Sequence, residues 1–170
     1  MTESRRFVAV LMGSDSDLPV MKATIEVLRG FEIAHEVRVT SAHRTPEATH
    51  QYVREAEKRG CAVFIAAAGM AAHLAGAVAA LTTRPVIGVP VDAGPLGGVD
   101  ALLSTVQMPG GIPVATVAVG RAGAKNAGYL AAQVLAVGDP DLDGRLADER
   151  RRNADEIMAK NDKVQEQVSS

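Results

Sequence analysis

Two polar islands interrupt an otherwise apolar chain, and their residue types point to the chemistry. GSDSD at 13–17 follows directly on the apolar run Phe7-Val8-Ala9-Val10-Leu11-Met12, and SAHRTP at 41–46 follows HEVRV at 35–39. The hydroxyls of Ser14, Ser16 and Ser41 are donors suited to one phosphate, and the Arg44 guanidinium can clamp it with paired N–H bonds. Asp15 or Asp17 would repel a phosphate but accepts from ribose hydroxyls. A sugar monophosphate meets both demands. GSDSD is neither GxGxxG nor a Walker loop, which disfavours a dinucleotide or a triphosphate.

His43 lies between Ser41 and Arg44 and is the one histidine in a strand-end loop. An imidazole moves protons near neutral pH, so His43 is the candidate general acid/base. His35 begins a strand and His50 sits on a helix surface; both read as structural or solvated. His73, in GMAAHLAG at 69–76, reads equally well as a buried, satisfied histidine or as a ligand group. The Gly and Ala around it let a ligand approach the backbone closely. Helix capping is the competing reading of both islands. It uses one residue of GSDSD, by Ser16 or Asp17, and Thr45 ahead of Pro46, but leaves His43 and Arg44 unexplained. No HExxH or similar metal-ligand spacing and no GxSxG elbow occurs.

These residues need elements to hold them. Five short apolar runs recur, FVAVLM (7–12), HEVRV (35–39), CAVFIAAA (61–68), PVIGVPV (85–91) and PVATVAV (113–119). The first, third and fifth are almost continuously apolar, as strands covered on both faces should be. HEVRV alternates, which suits an edge or a subunit contact. Between the runs, Asp17-Pro19 opens a helix with Met21, Thr24, Ile25 and Leu28 on one face, closed by Gly30. Thr45-Pro46 opens another with Tyr52, Val53 and Ala56 inward, stopped by Gly60. Residues 70–81 and 123–137 are Ala-rich and helix-forming. Strand–helix alternation at this spacing predicts an open α/β sheet with right-handed crossovers. Ligands of such sheets bind beyond the carboxyl ends of the strands, where both islands emerge at helix N-termini. The Gly/Pro-rich segments DAGPLGG (92–98) and QMPGGIP (107–113) are either connectors or a wall of that site, in their own subunit or a neighbour's.

The bulk composition agrees. The chain has 170 residues, enough for one domain with a sizeable core. It is 47% apolar with two Tyr, three Phe and no Trp, so its interior is built from small aliphatic side chains. A net charge of −2 gives no footprint for nucleic acid or an anionic membrane. The single cysteine, Cys61, opens an apolar run and reads as a reduced core thiol. MTESRR and the short run after it do not read as a signal peptide, and no segment has the length of a bilayer span. A cytoplasmic protein is expected. From Asp139-Pro140 the chain turns into a charge-dominated helix, anchored at most by Leu142, Leu146, Ile157 and Met158. It is either a solvated end or an arm on a neighbouring subunit. The division expected is 1–138 for the α/β domain and 139–170 for this arm within it.

MGSDSD, SAHRTP, AGMAAHLAG, GVPV and GVDALLSTVQMPGGIPVATVAVGRAGAKNAGYLAAQ occur in that order and together resemble the PurE family of purine biosynthesis, over residues 7–137. The resemblance implies a single-domain three-layer αβα sandwich with a flavodoxin-like parallel sheet, assembled as a homo-octamer. It implies an N5-carboxyaminoimidazole ribonucleotide mutase that moves a carboxylate from N5 to C4, or the direct carboxylase of class II members that uses CO2. Neither requires a metal, biotin or ATP, so no cofactor is expected. By position, Ser14, Ser41 and Arg44 would hold the phosphate, Asp17 the ribose, and His43 would be the general acid/base. Gly69, Met70, Ala71, His73 and Leu74 would belong to the loop enclosing the migrating carboxylate. Met70 and Ala75 stand where the commonest mutase pattern has Gly and Pro. A flavodoxin-like binding module without catalysis is the alternative of another class, and it gives no reason for a histidine beside the phosphate-clamping arginine.

Overall fold

The computed structural model describes residues 6–169. The part of the signal-peptide reading that rests on residues 1–5 lies outside the described residues. Two compact units are present, one up to Val134 and one from Leu135 onward.

The first unit is a five-stranded parallel sheet in the order β2-β1-β3-β4-β5. Its strands are β1 (Phe7–Met12), β2 (His35–Val39), β3 (Cys61–Gly69), β4 (Val86–Val91) and β5 (Ala115–Thr116). The helices are α1 (Leu18–Gly30), α2 (Pro46–Lys58), α3 (Leu74–Ala79), α4 (Val99–Val106) and α5 (Gly120–Ala136). Alternation along the strands sorts the core into two layers. Phe7, Ala9 and Leu11 of β1 and Phe64 and Ala66 of β3 pack with Tyr52 and Val53 of α2 and Leu74 and Val78 of α3. Val8, Val10, Val63 and Ile65 point to the opposite face and are fully buried. On that side α1 and α5 pack against each other. Thr24 Oγ1 donates to the Ala124 carbonyl at 2.6 Å, and a Cβ at Gly128 would fall 2.8 Å from Val27. An αβα sandwich results, with a core of small aliphatic side chains packed close.

HEVRV is an edge strand, as its alternation suggested: Val37 and Val39 are exposed, and among the described residues only β1 pairs with it. The fifth run differs from expectation. PVATVAV forms only a two-residue strand, half exposed, at the opposite edge. In the fourth run, by contrast, Val86–Val91 are all buried. The helix expected over 70–81 shortens to 74–79 because Met70 takes φ 56°, a left-handed turn that no helix continues. The eight-residue α4 at 99–106 was not expected, being too short to stand out between two Gly-rich segments.

The second unit contains α6 (Pro140–Val168), opened by Asp139, whose carboxylate accepts from the Leu142 N–H at 3.0 Å. Leu142 and Leu146 are buried, whereas Ile157 and Met158 are about 60% exposed. Among the described residues no helix is long and apolar enough to cross a membrane.

Candidate active site

Strands β1, β2 and β3 lie side by side, so their carboxyl ends open onto one crevice. β1 leaves the sheet through Gly13 into a 3-10 turn at Asp15–Asp17. Ser14 and Asp17 form a reciprocal cap there. Ser14 Oγ accepts from the Ser16 N–H at 3.3 Å, and the Ser14 N–H donates to Asp17 Oδ2 at 3.1 Å. The capping reading of GSDSD is thus correct in kind, with Ser14 in the role rather than Ser16 or Asp17 alone. Asp17 is 4% exposed. Burial raises its carboxyl above the usual range; the N–H groups of Ser14 and Gly13 oppose this and the Asp15 charge adds to it. A buried, internally bonded carboxylate is held rigid at the cavity wall.

β2 leaves through Thr40, whose hydroxyl is bonded to that of Thr49 on α2 at 2.7 Å, both buried. This pins the start of the SAHRTP loop to the helix that follows it. Thr45 does not cap α2 with its side chain. Its Oγ1 turns back instead, accepting from the Ser41 N–H at 2.9 Å and donating to the Ser41 carbonyl at 3.2 Å. The backbone Thr45 adopts, φ −136° and ψ 51°, aims the hydroxyl into the loop and not at the helix. Ser41 Oγ in turn accepts from the Arg44 N–H at 3.1 Å. The loop is closed on itself, and that frees the side chains of His43 and Arg44 to face outward.

They face the other exits. Arg44 Nη2 donates to the Gly13 carbonyl at 3.4 Å, bridging the β1 and β2 loops. The His43 Nε2 and His73 Nδ1 atoms are 2.7 Å apart, with the rings edge to face at 4.9 Å between centroids. His73 is exposed, so the buried-histidine reading fails; it is the partner of His43, 30 residues away in sequence. Such a bond needs one nitrogen with a proton and one without.

Ser14, Asp17, Ser41, His43 and Arg44 line one open cavity of about 250 Å³ together with Gly69, Met70, Ala71, His73 and Leu74. The ten residues expected at the site therefore share one cavity. Ser16, weighed for the phosphate, lines it too, but Asp15 does not, which favours Asp17 as the ribose acceptor. The cavity also contains Ala93, for which the sequence carries no signal beyond the Gly-rich segment around it. Gly69 makes room for it: a Cβ there would sit 2.5 Å from that of Ala93. QMPGGIP contributes nothing to this cavity. Gly111, Ile112 and Pro113 line a second hollow of about 560 Å³ with Thr82, Arg84 and Glu57. That hollow lacks histidine, and its guanidinium is paired with Glu57 at 3.6 Å. Cys61 is buried elsewhere in the core, and burial pushes its thiol up to about 11.

Sheet order and site together define a flavodoxin-like α/β protein whose ligand cavity opens at the carboxyl ends of β1, β2 and β3. Residues 7–156 match the AIR carboxylase family, and the chain belongs to that family. It is 49% identical over 94% of its length to the N5-carboxyaminoimidazole ribonucleotide mutase of Thermotoga maritima, of which it covers 92%. It is 55% identical over 93% of its length to the mutase of the same name from Mycobacterium tuberculosis H37Rv, of which it covers 90%. Among solved structures, Treponema denticola PurE superposes with a TM-score of 0.84 at 30% identity, covering 94% of this chain and 98% of that one.

Proposed function

We propose that this chain is an N5-carboxyaminoimidazole ribonucleotide mutase of purine biosynthesis, an isomerase that shifts a carboxylate from N5 to C4 of the imidazole. The observation that carries the reading is the convergence of a guanidinium and a joined imidazole pair on one cavity, Arg44 reaching Gly13 and His43 reaching His73. The relatives that share about half its residues over nearly their whole length bear that name.

In this reading the phosphate binds at Ser14, Ser41 and Arg44, and Asp17 accepts from the ribose. The imidazole then faces His43 and the 69–73 turn. The N5–carboxyl bond breaks, its electron pair returns to nitrogen, and that amine gains a proton from the histidine pair while CO2 is released into the cavity. C4, enamine-like and electron-rich, attacks the CO2 carbon and forms the C–C bond. His43 takes the C4 proton, which restores the aromatic ring. One proton enters and one leaves, so the histidine pair ends as it began. Retaining the CO2 replaces a bimolecular encounter by a local one.

The purified enzyme tests this with two substrates. The N5-carboxylated nucleotide should turn over without added bicarbonate, and aminoimidazole ribonucleotide plus bicarbonate should be used poorly. The opposite preference makes it a direct carboxylase. Turnover of neither would leave a binding module. We also infer a cytoplasmic homo-octamer. Val99, Leu103 and Val106 form an exposed apolar stripe at helical spacing on α4, with Leu96 beside it, which suits a subunit contact. A monomer in light scattering would contradict the assembly.

A further inference from the structure

We propose that Ser104, on α4 and outside the cavity lining, is a positioning residue that holds the carboxylate-enclosing turn closed and so retains CO2 during the transfer. This rests on the mutase reading above. The turn runs from Gly69 at the end of β3 to His73 at the start of α3, and it has little to hold it by itself. Met70 takes a left-handed backbone that a side chain disfavours, and residues 70–72 lie outside regular structure. Ser104 supplies the hold from the neighbouring helix. Its Oγ accepts from the Ala72 N–H at 2.9 Å. Its single proton has three carbonyls within reach, those of Asp100 at 2.7 Å, Ala101 at 3.3 Å and Met70 at 3.4 Å. The bond to Asp100 is the shortest, so the hydroxyl is oriented by its own helix and presents a lone pair to the turn.

Ala72 is only 2% exposed, which leaves little room for water to replace the hydroxyl if it is lost. The residue after Ala72 is His73, whose Nδ1 must stay within 2.7 Å of His43 Nε2. The residues before it, Met70 and Ala71, line the cavity where CO2 is held. One serine thus fixes both the imidazole partner and the cavity wall, through a backbone amide and without touching the ligand. The phosphate and ribose groups, by contrast, sit on the β1 and β2 loops.

The test uses the full-length enzyme and N5-carboxylated substrate labelled with 13C in the carboxylate, in unlabelled bicarbonate. Wild type is expected to keep the label in its product. Ser104→Ala is expected to lose about ten- to a hundredfold in kcat with KM nearly unchanged, the scale of a small misplacement at a reacting centre, and to release label to the medium. Its Ala72 amide should exchange with solvent faster in NMR. Ser104→Thr keeps a hydroxyl able to make the same bonds and should restore rate, label retention and amide protection. Wild-type rate and retention in Ser104→Ala would overturn the proposal, as would a slower variant that still retains its label, which marks a merely structural role. A threonine variant as impaired as the alanine one would overturn it too. A wild-type enzyme that fails to convert the labelled substrate would instead refute the mutase reading, and this inference with it.

Discussion

Replacing His43 by Asn separates chemistry from binding in this site. His43 is exposed and its hydrogen bond runs to His73, another exposed side chain, so the substitution opens no core cavity and strands no buried group. The stability change should stay within about 0.5 kcal/mol. Nucleotide affinity should also hold within a few fold, because the phosphate clamp proposed above is Arg44, Ser14 and Ser41, and Arg44 is tied to Gly13 independently of the imidazole. Asn ends short of the position of Nε2 and does not titrate, so it neither reaches His73 nor takes a proton from C4. General acid–base catalysis by one side chain contributes about 10²–10⁴-fold, which is about 2.7–5.5 kcal/mol of barrier. Calorimetric titration with product nucleotide, thermal unfolding and steady-state turnover of the N5-carboxylated substrate measure the three quantities in one preparation. Turnover within tenfold of wild type, at unchanged stability and affinity, would refute the assignment of proton transfer to His43.

Two further substitutions test the groups around it. Arg44→Lys keeps the charge but loses the planar fork, and should weaken nucleotide binding about tenfold in calorimetry while leaving the affinity for the dephosphorylated nucleoside unchanged. Asp17→Asn should raise Tm at neutral pH and weaken substrate binding. Burial raises the folded-state carboxyl, so above that raised range the native chain holds a buried charge that the unfolded chain keeps in water. The amide removes that penalty, while its carbonyl still accepts from the Ser14 N–H. As pH falls through the carboxyl's titration, wild-type Asp17 becomes neutral as well and the advantage should shrink. A gain in Tm independent of pH would show that burial of charge is not its source.

Much of the site was legible because polar residues directly after apolar runs have few places to go. Once FVAVLM and HEVRV are parallel neighbours, GSDSD and SAHRTP emerge at the same edge, and donor types alone select a phosphorylated ligand. GMAAHLAG read as a segment open to a ligand with the part of His73 undecided, and the resemblance of the whole motif series then gave that turn the carboxylate. Less legible were features that depend on a neighbour. Thr45 reads as a helix cap but folds back on Ser41, because the backbone dihedrals decide which groups a hydroxyl faces. PVATVAV reads as a strand covered on both faces but pairs over two residues at a half-exposed edge.

What the sequence determined by itself is therefore local and compositional: the period of each element, the loops that carry charge, and the size of the side chains available to the core. The tertiary structure alone decided which distant groups meet. His43 and His73 are 30 residues apart, and Ser104 and Ala72 are 32 apart; no periodicity in the chain relates either pair. Their meeting follows from strand order, since β1 and β4 flank β3 and bring the β2 loop, the β3 turn and α4 to one end of the sheet. Hydrogen bonds act over about 3 Å, whereas sequence patterns constrain direction only along the chain, so contacts across the sheet are fixed by packing.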